Sequence, residues 1–248
     1  MFEIMQKNVE KMTINYSPNF NPKKRNKKKI KYLIYHYTGM KNDRLAIKKL
    51  TSSNSNVSCH YYITSNGKLI QMVPDLYIAW HAGKSSWKNQ KSLNNSSIGI
   101  EISNPGHKHG YKKFNNNQIK CLLRISKFLI KKYKIEKKNV LGHSDIAPLR
   151  KIDPGEKFPW KFLSKYKIGI WHKVNKKKLK IFDRNISELN LKNFLSNLKK
   201  IGYKVEYNNS SKQKKIIKIF QMKFRPEKID GKLDFECYEI AKSLNNLK

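Results

Sequence analysis

Two histidines and an aspartate stand where apolar runs of the chain give way to polar ones. His36 closes a strand-like stretch in Tyr35-His36-Tyr37-Thr38-Gly39. His143 follows a short apolar run in Val140-Leu141-Gly142-His143-Ser144-Asp145, and Asp153 comes ten residues later in Arg150-Lys151-Ile152-Asp153-Pro154-Gly155. Two imidazoles and a carboxylate can supply the three protein ligands of a catalytic zinc and leave a fourth tetrahedral position for water. The same donors suit non-haem iron, although no close His-x-Asp/Glu pair of the kind such sites use is visible. Spacing alone is met equally well by histidines that merely end strands as hydrogen-bonded polar residues. Glu101 adds weight to a reactive site. In Ile98-Gly99-Ile100-Glu101-Ile102 it points away from the three isoleucines, with no nearby residue in sequence to pair it. It is either an exposed strand carboxylate or a general base beside a metal-bound water.

The elements that would position these groups can be read from periodicity. Ile30 to Thr38, rich in Tyr and Ile, predicts a strand, and Cys59–Thr64 and Lys68–Val73 flank the turn signal Ser65-Asn66-Gly67 of a hairpin. From Asn115 to Tyr133, the set Ile119, Leu122, Leu123, Ile130 and Tyr133, with Leu129 beside it, has helical spacing. Strands separated by helices predict an α/β domain with a mixed central β-sheet flanked by helices. After Trp171 the pattern becomes all-helical. Ser187 is placed to cap a helix carrying Leu191, Phe194, Leu195 and Leu198, which stops at Gly202. Ser211 opens a second helix with Ile216, Ile217, Phe220 and Phe224. Asp230-Gly231 is a turn, and Asp234 caps a third helix with Tyr238, Ile240, Ala241 and Leu244. The expected organisation is a basic arm over 1–29, a catalytic domain over 30–173 and a small all-α module over 174–248, with no internal repeat.

Composition excludes several classes. With 38% hydrophobic residues the 248-residue chain can bury a core, so wholesale disorder is ruled out. No apolar run approaches the roughly 18 residues of a membrane-spanning helix. The chain as written shows neither an export signal nor a lipid-anchor cysteine, which favours the cytoplasm, with the periplasm or cell envelope as the alternative. Cys59, Cys121 and Cys237 lie far apart with no C-x-x-C and read as free thiols. The net charge of +37 would ordinarily imply a polyanionic partner. Only six of the 54 cations are Arg, however, and Arg is the residue suited to bidentate phosphate and guanine recognition. No interleaved Arg/aromatic platform is visible, so a dedicated nucleic-acid role is not expected.

Several ordered blocks then make a family legible. They are Tyr-Leu-Ile-Tyr-His-Tyr-Thr (32–38), Val-Ser-Cys-His-Tyr-Tyr-Ile (57–63), Ala-Trp-His-Ala-Gly (79–83), Ser-Ile-Gly-Ile-Glu-Ile (97–102) and the stretch 142–155 quoted in part above, followed by Phe-Pro-Trp (158–160). Through these the chain resembles the zinc-dependent N-acetylmuramoyl-L-alanine amidases of the AmpD/AmiD type, relatives of peptidoglycan-recognition proteins. Ala-Trp-His-Ala-Gly and Ile-Gly-Ile-Trp (168–171) bring it nearer the AmiD branch. Ile-Phe-Gln-Met-Lys-Phe-Arg-Pro (219–226) and Ile-Asp-Gly-Lys-Leu-Asp (229–234) resemble a peptidoglycan-binding-like helical module.

The resemblance implies one zinc ion held by His36, His143 and Asp153, Glu101 as base, and Lys151 as oxyanion stabiliser. It implies hydrolysis of the amide between N-acetylmuramic acid, possibly in its 1,6-anhydro form, and the L-alanine of the stem peptide. The partners would be peptidoglycan or muropeptide fragments, in bacterial cell-wall turnover and recycling. A non-catalytic peptidoglycan-recognition protein is the alternative, although such relatives commonly lack a ligand or the base, and all five residues are present here. His60, Trp80, His81 and Arg150 could line the groove, with Arg150 suited to a stem-peptide carboxylate, or could equally be core and rim residues. His107, His109 and His172 read as surface.

Overall fold

The structure, a computed structural model, describes residues 12–175 and 188–247. Its strands are β1 (Thr13–Ile14), β2 (Phe20–Asn21), β3 (Tyr32–Tyr37), β4 (Tyr61–Ile63), β5 (Leu69–Gln71), β6 (Ile78–Ala79), β7 (Ser86–Trp87), β8 (Gln90–Lys91), β9 (Ser97–Ile102) and β10 (Val140–Gly142). Its helices are α1 (Asp43–Thr51), α2 (Asn116–Tyr133), α3 (His143–Ile146), α4 (Trp160–Ser164), α5 (Glu188–Ile201), α6 (Ser210–Phe224) and α7 (Phe235–Asn245). Six strands form the central sheet in the order β1-β5-β4-β9-β3-β10. The β4/β5 hairpin is antiparallel, whereas β1/β5, β4/β9, β9/β3 and β3/β10 are parallel. The sheet is therefore mixed, as the alternation of patterns predicts.

Alternation along β3 divides its side chains between two cores. Leu33 and Tyr35 join Ile98, Ile100 and Ile102 against α2. Tyr32 and Ile34 face the other way, and His36 ends that row. The helix face on α2 differs from the predicted stripe: Cys121, Leu122, Ile125, Leu129 and Tyr133 are buried against the sheet, while Ile119, Leu123 and Ile130 are only partly covered. Two apolar stripes lie side by side on this helix, and periodicity cannot say which of them meets the sheet. Its start is set by a reciprocal cap in which Asn115 accepts from the Gln118 N–H and the Gln118 side chain accepts from that of Asn115.

The second face of the sheet is covered by the C-terminal helices. Phe194, Leu195, Leu198, Ile216, Phe220, Ile240 and Leu244 form one continuous cluster with Tyr32, Ile34, Trp87, Leu141 and Ile146. A boundary at residue 174 thus separates no two cores. Here α6 begins at Ser210 with Asn209 as its cap, one residue before the expected Ser211 start, and Asp234 caps α7 as predicted. The expected cap Ser187 lies outside the described residues.

The N-terminal arm is also revised from residue 12 onward. Thr13–Ile14 extends the sheet beside β5, Phe20–Asn21 pairs with β6, and Arg25 is buried. Its guanidinium donates to the carbonyls of Asp75 and Asn94, so this part of the polar segment is woven into the domain. Two acceptors so far along the chain cannot be inferred from a lysine-rich run. Cys59, Cys121 and Cys237 are free and buried.

Candidate active site

The parallel pairing of β3 with β9 places His36 directly beside Glu101, and their row lies on the face opposite the isoleucines. β10 adds the third contribution, because its last residue leads straight into α3 and so delivers His143 to the same end of the sheet. The loop after α3 folds back through a hydrogen bond from the Ser144 N–H to the Asp153 carbonyl, 2.8 Å, which brings the Asp153 side chain against both histidines. The three groups close a nearly equilateral triangle. His36 Nδ1 and His143 Nδ1 are 2.9 Å apart, and each lies 3.1 Å from Asp153 Oδ2.

That triangle fits a cation. All three residues are buried, and the separations suit ligands about 2 Å from one ion. The His143 Nε2–H donates to the Ala82 carbonyl at 3.1 Å, which leaves its Nδ1 as a bare lone pair. Burial, and then the neighbouring His143, push the His36 imidazole down to about 4, so it is neutral near pH 7. Burial alone would raise the Asp153 carboxyl, yet the adjoining His143 and His36 hold it well below the usual carboxylate range. Two imidazole nitrogens packed on an ionised carboxylate form a donor set for a metal.

Beside the triangle, Glu101 Oε2 is buried with no protein partner. Burial, followed by the Asp153 charge, pushes this carboxyl well above its ordinary value, while the charges of Lys151 and Lys49 oppose the shift. Such a group holds a proton more tightly than an exposed carboxylate does. Glu101, His143, Lys151 and Asp153 all open onto one cavity of about 310 Å³, walled further by Trp80 and Arg150.

Of the four expected groove residues, Trp80, His81 and Arg150 line that cavity. His60 does not. It is fully buried behind His81, where its Nδ1 accepts from the Gly99 N–H and its Nε2 meets the Tyr77 carbonyl. Arg150 spends one guanidinium nitrogen on the Ala82 and Lys84 carbonyls, at 3.0 and 2.9 Å, and so braces the loop that also orients His143. His109 is exposed as expected. His107 is tied to Tyr37 Oη and Glu156, and His172, expected at the surface, is half-buried beside the Phe224 carbonyl. Sequence reasoning missed Lys49 and Tyr37, which also border the cavity. For Tyr37 the signal was its place next to His36. Lys49 sits among many lysines and carried none.

A mixed sheet that sets His36 beside Glu101, with His143 and Asp153 closing on His36 at the edge of one cavity, is consistent with a metal-dependent hydrolase. The comparisons with known proteins say which. The N-acetylmuramoyl-L-alanine amidase family model matches residues 26–156. The N-acetylmuramoyl-L-alanine amidase AmiD of Escherichia coli is 35% identical over 230 residues, covering 87% of this chain and 82% of that protein. The solved complex of E. coli AmiD with anhydro-N-acetylmuramic acid-L-Ala-D-γ-Glu-L-Lys superposes with a TM-score of 0.77 at 33% identity, over 87% of this chain and 88% of the other. AmpDh3 of Pseudomonas aeruginosa, solved with an anhydromuramic pentapeptide, gives 0.78 at 30% identity over 94% and 97%. The chain belongs to the N-acetylmuramoyl-L-alanine amidase family and is an enzyme of that activity.

Proposed function

We propose that this amidase holds one zinc ion on His36, His143 and Asp153, and uses Glu101 and Lys151 to cut the amide between N-acetylmuramic acid and L-alanine in muropeptides. The observation that carries the reading is the Glu101 oxygen, buried without a partner beside a donor triangle about 3 Å on a side. A bound zinc would acidify water towards a pKa of about 7 and add positive charge opposite the substrate carbonyl. Glu101 takes the proton of the attacking water and later returns it to the alanine nitrogen as the C–N bond breaks. Its raised affinity for protons suits both halves of that exchange. Lys151, on the cavity wall two residues before Asp153, supplies the ammonium that faces the oxyanion of the tetrahedral intermediate. The relatives solved with anhydro-muropeptides make soluble fragments the first substrates to offer. Among the described residues no helix is long and apolar enough to cross a membrane.

The test is chelation followed by reconstitution. Metal-free protein should release no stem peptide from anhydro-muropeptides, and one equivalent of zinc should restore release, read by mass spectrometry of the products. Full activity in protein shown by elemental analysis to be metal-free would overturn the zinc assignment. A zinc-loaded protein that binds muropeptides without cleaving them would make it a recognition protein.

A further inference from the structure

The loop that follows β6 touches both histidines of the metal triangle from behind. His81 Nδ1 lies 3.0 Å from His36 Nε2, and the carbonyl of the next residue, Ala82, accepts from His143 Nε2. We propose that His81 and Ala82 act together as positioning residues that fix the tautomers of His36 and His143, so that both Nδ1 lone pairs face the metal. The proposal rests on the zinc reading above and names what makes those nitrogens available.

For His143 the acceptor is a backbone carbonyl, so the direction of that bond is settled. For His36 it follows from counting protons. The Leu93 carbonyl can only accept, and Ser97 Oγ lies 2.6 Å from it, so the single hydroxyl hydrogen of Ser97 goes there. Towards His81 the same oxygen must therefore accept, and His81 Nε2, 3.1 Å away, donates. A neutral imidazole has one N–H, which leaves His81 Nδ1 as a lone pair. His36 Nε2 must then carry the hydrogen shared across the 3.0 Å contact, and His36 Nδ1 is bare towards His143 and Asp153. The proton order runs in one direction from a strand-start serine to the metal site.

The fold holds this relay in place. Asn94 Oδ1 accepts from both the His81 and Ala82 backbone N–H groups, at 3.1 and 2.7 Å, which clamps the dipeptide. The His81 ring lies over β9 at Gly99, where an added Cβ would fall 2.4 Å from the ring's Cγ. Ser97 and Gly99 alternate with the isoleucines of β9, so the strand that presents Glu101 also seats the relay.

Two quantities test this on the full-length protein. One is the protonation of His36 in the metal-free state, read from nitrogen chemical shifts of 15N-histidine-labelled protein. The other is zinc affinity, read by competition with a chromogenic chelator. Wild type should show His36 protonated on Nε2. His81→Phe, which keeps a ring and removes the acceptor, should give mixed His36 tautomers and weaken zinc by about 10–100-fold. His81→Gln restores an oxygen acceptor and should recover most of the affinity. Ser97→Ala removes only a hydroxyl and should shift both readouts in the direction of His81→Phe, so it decides the matter if the Phe variant fails to fold. Unchanged tautomer and unchanged zinc affinity in a folded His81→Phe or Ser97→Ala protein would overturn the proposal, as would a wild-type His36 protonated on Nδ1. A His36→Ala protein that binds zinc as tightly as wild type would instead overturn the metal centre, and the tautomer measurement would still judge the relay.

Discussion

Glu101 and His143 share one cavity wall but should fail differently when changed. Glu101 moves protons in the proposed mechanism and touches no metal ligand through a hydrogen bond, so Glu101→Gln should keep its zinc while turnover falls by about 10²–10⁴-fold. His143→Ala removes a vertex of the triangle and should lose both. Paired metal analysis and product assays check this, and loss of zinc from Glu101→Gln would make that residue a ligand after all. Residues of this kind were legible in the sequence because their chemistry is rare at such positions: an acid among isoleucines, histidines at the ends of apolar runs. His60 and His81 show where that legibility stops. Both sit in motif-like blocks with an aromatic neighbour, yet one is packed behind the other, and only the register of β9 beneath them separates their roles. Ser97 gave no signal at all, since a serine opening a strand is ordinary until its single hydrogen is counted.

At the scale of elements, the strand from 32 to 37, the hairpin around Ser65-Asn66-Gly67 and the helix from 116 to 133 were all readable, because each has a strong period and its own punctuation. The segment 12–29 was not. Its order comes from partners far along the chain: Arg25 bonds to residues 75 and 94 and lies 3.0 Å from His60 Nε2. Burial pushes the Arg25 guanidinium down to about 10. Arg25→Met should strand two buried carbonyls and cost about 1–3 kcal/mol, a fall of roughly 4–8 °C in Tm for the middle of that range. A Tm within error of wild type would show that the segment merely rests on the sheet. The same junction predicts a pH dependence. Burial, then the Arg25 charge, push His60 down to about 3, against roughly 6.5 in an unfolded chain. Between those values the unfolded state holds a proton that the native state lacks, so stability falls as pH falls, by up to about 1.4 kcal/mol per unit. His36 acts in the same direction. Urea midpoints measured from pH 7 to pH 5 should therefore drop, and His60→Gln should flatten the slope.

Across the whole molecule, the C-terminal helices are the second layer of the catalytic fold and not an appendage to it. They seal the sheet face that carries Ile34 and Leu141, and at Gly202 the chain passes so close to Trp87 that a Cβ there would fall 2.5 Å from its ring. Their most direct link to the site is Asp145, a buried carboxylate two residues after His143: it accepts from the Gly142 N–H at 2.7 Å, and so holds the backbone that presents His143. Its other partners come from the C-terminal helices and the turn after α5, Tyr203 Oη and Lys223 Nζ, each at 2.5 Å, and the Lys223 ammonium also lies 4.1 Å above the Trp160 ring. A 1–173 fragment would expose the shared core and leave Asp145 with one donor, so it should lack a cooperative urea transition and be inactive on small muropeptides. A sharp transition with activity retained would show that the catalytic layer stands alone. The point variant is more informative than the truncation. Lys223→Met keeps the apolar stem over Trp160 and removes only the charge, which should cost about 3–5 kcal/mol by leaving a buried anion half-paired. Because that anion braces Gly142 and His143, zinc affinity should fall with stability. Adding Asp145→Asn to Lys223→Met removes the orphaned charge, so the double variant should be destabilised by less than the sum of the two single changes. Strict additivity would mean that Lys223 stabilises the helices without reaching the active site.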